Sequence, residues 1–370
     1  MTEDVSHGRI ATAAGLLRSG GVVAFPTETV YGLGAEISDP SAIRRVFEIK
    51  KRPETHPLIV HIADLSGLGH WAQEVPEQAR RLAERFWPGP LTLILPRSPL
   101  VSAAITGGQD TVGLRVPDHP VALALLRALG PEKALAAPSA NRFGRVSPTT
   151  ADHVREELGN DSDMVLDGGP CKVGVESTIV GFDGDMAIIL RPGGIPLAAV
   201  AEVLKGRVIA AETAGLTRQA VRVPGALSSH YAPLTPLELW PTRSIGSRAH
   251  EIDAEGLRVA ILGWSDECLS YLRPRSHQDK RIVYISMPAT PEEYGRHLYA
   301  TLRRHDREGF DRLLVEAPPD ESAWLAIADR LRRASTHIRR NETGSGTKKS
   351  EESGEGGAIM NESVLNDPRE

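Results

Sequence analysis

Chemistry first becomes visible in the stretch "FPTETVYGLGA", residues 25–35. It follows "GGVVA", an apolar run that reads as a buried strand. Within a few positions come the hydroxyls of Thr27 and Thr29, the carboxylate of Glu28, a tyrosine and two glycines. A plain turn needs a glycine or two, so this density of small polar groups suits a ligand. "KKRPETHPLIVHI", residues 50–62, places Lys50, Lys51 and Arg52 in a compact cationic cluster, with His56 and His61 flanking a strand. Such a cluster at a helix end either complements the helix dipole or meets phosphates, for which a guanidinium adds bidentate geometry.

Three further stretches repeat this chemistry. In "TVGLRVP" (111–117), Thr111 and Arg115 share one face of a strand, because side chains recur at every second position. An arginine among strand apolars is costly without an anion, and a structural ion pair and a ligand carboxylate both satisfy it. "APSANRFGRVSPTT" (137–150) clusters Ser139, Asn141 and Ser147 after a strand, suited to turns and helix caps as well as to a ligand. "GVESTIV" (174–180) and "LRPGG" (190–194) add Ser177 and Arg191 beside strands, and nearby Cys171 reads as a small filler. No phosphate loop of the G-x-x-x-x-G-K-[ST] type, no H-E-x-x-H and no G-x-S-x-G elbow is present. Cations, hydroxyls and free backbone without a standard nucleophile suit holding a nucleotide and an amino acid so that they react with each other.

The elements that must position these residues read as two α/β units. "GVVAF", "LIVHI", "LTLIL", "VGLRV", "ALAAP", "MVLD", "STIVGF" and "AIILRP" are predicted strands. "DPSAIRRVFEIKK", "PEQARRLAERFW", "HPVALALLRALG" and "TADHVREEL" are predicted helices, the first with Asp39 as N-cap and Pro40 at its first position. This mixture predicts a catalytic domain over 8–204 built on a large twisted mixed sheet. Periodicity fails over 205–236, which is long for a connection and reads as a functional linker. Pro224-Gly225 forms a bend there, and His230 and Tyr231 are bulky polar tips, the composition of a lid. Over 237–338, "LRVAILGW", "RIVYISM" and "DRLLVEA" alternate with helical stretches, which predicts a small doubly wound parallel sheet of Rossmann-like type. No G-x-G-x-x-G follows its first strand, so a dinucleotide is not indicated. The polar, Gly/Ser/Glu-rich segment 339–370 reads as a disordered tail.

Composition narrows the function classes. With 43 Lys and Arg against 48 Asp and Glu, the formal charge of the 370-residue chain is −5, which argues against wholesale coating of nucleic acid. Two cysteines far apart exclude a disulfide framework or a Cys-rich zinc site and suit a reducing cytosol. The N-terminal residues are acidic where a signal peptide is basic, and no apolar run approaches the ~18 residues of a membrane span. The expected location is cytoplasmic.

Taken in order, "FPTETVYGLGA", K-x-R-P-x-x-x-P-L-I-V-H, "WPGPLTLIL", "VGLRVP", "PSAN", "GVESTIV" and "LRPGG" resemble the threonylcarbamoyl-AMP synthase (YrdC-like) family. "PGALSSHYAP" followed by a small α/β unit resembles its long, two-domain form, so the likeness runs over roughly residues 8–335. The resemblance implies condensation of L-threonine, bicarbonate and ATP to threonylcarbamoyl-AMP and pyrophosphate, with Mg2+ as cofactor. A separate transferase complex would then deliver the threonylcarbamoyl group to tRNA. It implies no covalent catalytic residue: Thr29, His61, Arg115, Ala137 and Ser177 would bind threonine, with Arg115 on its carboxylate. Lys50, Arg52 and His56 would face the ATP phosphates, Thr111, Ser139, Asn141, Ser147 and Arg191 would line the nucleotide site, and Tyr231 would reach back over it. Two other classes share the fold: carbamoyltransferases of hydrogenase maturation, whose Cys-rich zinc modules this chain lacks, and a non-enzymatic RNA-binding module.

Overall fold

The computed structural model describes residues 7–211, 222–225, 230–271 and 281–335; the tail at 339–370 and the linker stretches 212–221 and 226–229 lie outside them. Strands β1 (Val23–Phe25), β2 (Gly32–Glu36), β3 (Ile59–His61), β4 (Leu91–Pro96), β5 (Thr111–Arg115), β6 (Leu135–Ala136), β7 (Met164–Val165), β8 (Thr178–Asp183), β9 (Met186–Arg191) and β10 (Val208–Ala210) form one sheet. Its order is β10-β9-β8-β4-β5-β3-β6-β2-β1-β7. The sheet is mixed: β3 runs parallel to β5 and β4 parallel to β8, while β4/β5, β2/β6 and β8/β9 are antiparallel.

Alternation of side chains gives this sheet two apolar faces, each covered by helices. On one, Val60, Leu93 and Leu114 pack against Ile43, Val46 and Phe47 of helix Pro40–Lys50 and Leu82 of helix Glu77–Phe86. On the other, Val23, Phe25 and Leu135 pack against Leu17 of helix His7–Arg18 and Leu125 of helix Pro120–Leu129. Each such buried side chain is worth roughly 1.5–3 kcal/mol over its exposed state. Helix Pro40–Lys50 starts as its sequence predicts: the Asp39 carboxylate accepts from the Ser41 and Ala42 N–H groups. It ends with Lys51 in the left-handed region at φ 51°, which leaves Lys50 on the buried face.

The second sheet comprises β11 (Leu237–Trp240), β12 (Val259–Gly263), β13 (Ile282–Ser286) and β14 (Arg312–Glu316) in the order β11-β14-β12-β13, all parallel. Leu262, Leu313 and Val315 face Tyr294 and Leu298 of helix Pro291–His305 and Leu331 of helix Leu325–Ala334. Ile261 and Leu314 face Ile245 and Ile252 of helix Thr242–Ala254 on the other side. This is the doubly wound arrangement that the alternating pattern predicts. Val30, Val146 and Tyr231 join the core of the second sheet, and all described residues fall within one compact unit.

Three strands have no counterpart in the sequence reading. Strand β2 is the "GLGAE" of the first motif, where glycines conceal a strand. Gly34 is required there because a Cβ would stand 2.7 Å from the Phe25 ring across the β1/β2 pair. Strands β10 and β11 are three and four residues long; β10 falls within the stretch 205–236 read as linker, so the first sheet extends past the boundary expected at 204.

Candidate active site

One cavity opens where the C-terminal ends of β1 and β3, the segment after β6, the loop before β8 and the linker meet. The turn after β1 is organised by Thr27. Its hydroxyl donates to the Val30 carbonyl at 2.6 Å and accepts from the Thr29 and Val30 N–H groups at 3.2 Å. A 2.8 Å bond between the Thr27 and Thr29 hydroxyls turns Thr29 to the cavity wall.

His61 and Arg115 end neighbouring parallel strands and are register partners. Both are buried. Burial, and then the charge of Arg115, pushes the His61 pKa down to about 3, so the imidazole is neutral. Arg115 Nη2 lies 2.7 Å from Glu28 Oε1. The contact is ionic without hydrogen-bond alignment: Arg115 Nε and Nη2, and Glu28 Oε1, have no hydrogen-bond partner among the described residues. Glu28 Oε2 accepts from the Asp118 N–H at 3.1 Å.

The opposite wall holds Ser177 and Arg191. The Ser177 hydroxyl bonds to Thr92 Oγ1 at 2.7 Å. Arg191 donates from Nη2 to the Ser177 carbonyl and from Nη1 to the Pro224 carbonyl, both at 2.8 Å. Arg52 donates from Nη2 to the Pro57 carbonyl at 2.8 Å and leaves Nε without a partner. Burial brings its pKa down to about 10, and that of Arg191 is lowered by burial too. Two or more cations held this close and dry are stable when an anion joins them.

Tyr231 closes the site. It stands at φ 62°, an uncommon backbone state for a residue with a side chain, and is fully enclosed. Its ring lies 4.1 Å from that of His230 and 5.9 Å from that of Tyr299. Burial pushes the pKa of His230 down to about 3, and its Nδ1 has no partner among the described residues.

All the residues assigned to threonine, namely Thr29, His61, Arg115, Ala137 and Ser177, line this cavity, as do Arg52, Ser139, Arg191 and Tyr231 of the nucleotide set. Lys50, His56, Thr111, Asn141 and Ser147 do not line it. Lys50 is buried behind the wall, with Nζ donating to the Ser139 and Asn141 carbonyls at 2.5 Å. Burial, and then Arg52, takes its pKa well below the ordinary lysine value. His56 rests edge-on to Phe143 at 5.2 Å. Thr111 begins β5, at the end remote from Arg115. Asn141 donates to the Arg142 and Arg145 carbonyls but leaves Oδ1 without a partner, and Ser147 donates to Glu176 Oε1 at 2.7 Å. The sequence points to Thr27 and Glu28 only as part of a polar stretch, without a role of their own, and does not single out Glu176 at all. A buried carboxylate needs a counter-charge as much as a buried arginine does, so Glu28 and Glu176 carried the same signal as Arg115.

Comparison with known proteins accords with this geometry. A family model described as "Telomere recombination" matches residues 15–193, and one described as "Threonylcarbamoyl-AMP synthase, C-terminal domain" matches residues 195–336. The threonylcarbamoyl-AMP synthase of Pyrococcus abyssi is 40% identical over 90% of this chain and 96% of its own length. The chain belongs to the threonylcarbamoyl-AMP synthase family. The Bacillus subtilis family member is also 40% identical, over 90% of this chain and 95% of its own. The crystal structure of P. abyssi Sua5 complexed with L-threonine superposes with a TM-score of 0.79, at 40% identity over 90% of this chain and 96% of that one. Both sheets of this family member therefore have counterparts in a solved relative.

The described residues of the cavity offer no ready-made ligand set for a resident metal ion. Among the described residues no three His, Cys, Asp or Glu side chains come together as ligands. The carboxylates nearest the cavity, Glu28 and Glu176, each face an arginine instead. No helix among the described residues is long and apolar enough to cross a membrane.

Proposed function

We propose that this chain is a nucleotidyltransferase that makes threonylcarbamoyl-AMP from L-threonine, bicarbonate and ATP. The threonine amine, as the free base, attacks bicarbonate to form a carbamate with loss of water. A carbamate oxygen then attacks the α-phosphorus of ATP. The bond to the β-phosphate oxygen breaks, and pyrophosphate leaves. No protein nucleophile enters either step, so the enzyme acts by alignment and by neutralising charge.

The supporting observation is the convergence of Arg52, Arg115 and Arg191 on one buried cavity with polar atoms still unpartnered. Arg115 with Thr29, neutral His61, Ala137 and Ser177 takes the amino acid, the guanidinium meeting its carboxylate. Arg52, Ser139, Arg191 and Tyr231 take the nucleotide, and Lys50, His56, Thr111, Asn141 and Ser147 form its outer support. Mg2+ enters with the triphosphate substrate, carried on phosphate oxygens and water, in keeping with its reluctance to dehydrate. The three arginines are 8%, 4% and 3% exposed, too little to meet an RNA backbone, which disfavours the RNA-binding module.

The product is a mixed carbamic–phosphoric anhydride that water destroys. A cytoplasmic transferase acting on tRNA is the consumer this reading calls for. In this arrangement the catalytic domain runs from residue 8 through β10, past the boundary at 204 that the sequence suggested. Pro224, Gly225, His230 and Tyr231 of the linker line its cavity, and the small domain begins at about residue 237. The test is pyrophosphate release by the purified chain with Mg2+, ATP, bicarbonate and L-threonine, with the product identified by mass. Release must require threonine and bicarbonate together; equal release without threonine would sink the assignment.

A further inference from the structure

Glu176 is the carboxylate of the cavity wall opposite Arg115, and a negative charge there opposes an anionic ligand. It is buried and does not stand free. Its Oε1 accepts from the Ser147 hydroxyl at 2.7 Å; its Oε2 accepts from the Tyr299 hydroxyl at 2.9 Å and from Arg330 Nε at 2.7 Å. Tyr299 and Arg330 belong to helices Pro291–His305 and Leu325–Ala334, which pack on the second sheet. The side chain of Arg330 is fully buried, and Nη1 bonds to Asp329 at 2.6 Å. Its guanidinium carbon sits 5.1 Å above the Tyr231 ring, and Nη2 lacks a partner among the described residues. Asp329 is held in turn by Arg333.

We propose that Arg330 is a positioning residue for the cavity. From the second sheet's last helix it holds Glu176 back against Ser147 and Tyr299, cancels its charge and seats Tyr231. Burial by itself pushes the Glu176 pKa up; Arg330, Arg191 and the hydrogen bonds from Arg330 and Ser147 outweigh this and take it down to about 2. The carboxylate is thus charged on the same wall as Arg191. Without Arg330, the next cation whose charge acts on it is Arg191, a cavity residue. Glu176 would then compete for Arg191 as an internal substitute for the ligand's anion. The small domain therefore contributes electrostatically to a site made of the other domain's side chains. This inference rests on the preceding reading, in that the anion is the triphosphate of ATP.

The experiment measures ATP affinity by calorimetry, without threonine, alongside steady-state KM values for ATP and threonine and thermal unfolding. Arg330→Met should weaken ATP binding about ten- to a hundred-fold, the scale of a charge-assisted contact, with the KM for threonine close to wild type. The double variant Glu176→Gln/Arg330→Met should recover most of that loss, because the competing charge is gone. A role confined to folding would lower the unfolding temperature and leave the ATP affinity of the folded fraction unchanged, which overturns the proposal. So would a double variant that binds ATP as weakly as Arg330→Met. Should Arg330→Met not fold, the double variant is compared with Glu176→Gln: equal ATP affinity supports the proposal, and a much weaker double variant overturns it. A wild-type chain without threonine-dependent pyrophosphate release would overturn the underlying reading instead, a result distinct from an active wild type unaffected by Arg330→Met.

Discussion

The phenol oxygen of Tyr231 occupies the space that a side chain on Gly225 would need: a Cβ built there would stand 2.0 Å from it. Gly225 also sits at φ 74°, and the preceding Pro224 carbonyl fixes Arg191. The bend, the arginine and the tyrosine are one assembly. Gly225→Ala should displace Tyr231 and lower threonine-dependent pyrophosphate release by ~10–100-fold, the scale of a small misplacement at a reacting site. Gly184, also at positive φ but with open space around it, supplies the control. Gly184→Ala carries the same kind of backbone strain and should leave the rate near wild type, and equal losses in both variants would contradict the assembly.

Arg52 and Arg115 stand on different parts of the cavity wall and should fail differently. Arg115→Ala should raise the threonine requirement, and Arg52→Ala the ATP requirement, each by about ten- to a hundred-fold for a lost charge-assisted contact. Arg115→Ala also strands Glu28, whose ionic partner it is, so its unfolding midpoint should drop more than that of Arg52→Ala. Steady-state titration of both substrates for each variant checks this. Unaltered dependence on both would remove the two arginines from their places.

Lys50 ties the Ser139 and Asn141 carbonyls from behind the wall. Lys50→Met should destabilise the chain by roughly 1–3 kcal/mol for each carbonyl left unsatisfied, read from urea unfolding. An unchanged midpoint with a raised KM for ATP would instead put the ammonium on the ligand.

Stability should fall on the acid side of neutrality. His61 and His230 are brought to about 3 and His153 to about 4, from an ordinary 6.5, burial being the largest cause in each case. Above about pH 6.5 neither the folded nor the unfolded state protonates these rings. Below it the unfolded chain takes up protons that the native rings refuse, so unfolding is favoured as the pH drops towards their folded values. Each ring contributes at most about 1.4 kcal/mol per pH unit in that window. Glu176, depressed from 4.5 to about 2, adds a further loss as pH falls below its unfolded value. Urea midpoints at about pH 7.5 and about pH 5.5 should differ clearly; coincident midpoints would mean that the three rings are not held neutral.

Much of this was legible in the residues. Apolar runs located most strands, Asp39-Pro40 marked a helix start that the structure reproduces, and alternating strands and helices announced the parallel second sheet. An arginine inside "VGLRV" demanded an anion wherever the chain folded, because the cost of burying its charge does not depend on the rest of the structure. What the pattern left open was the anion. Glu28 lies in the turn after β1, four strands from β5 in the sheet order, and meets Arg115 only in the folded sheet.

The sequence by itself determined which groups could do chemistry, that two α/β units carry them, and which family they resemble, since these follow from local composition and period. Only the tertiary structure decided which groups meet. Ser177 and Thr29 are 2.7 and 2.8 Å from the hydroxyls of Thr92 and Thr27. Lys50 is spent on two carbonyls, and Arg330 crosses from the second sheet to hold Glu176. Hydrogen bonds and ion pairs act over a few ångströms, and those ångströms are set by sheet order and helix packing, which bring residues 154 positions apart into contact without leaving a mark on either one's neighbours in the chain.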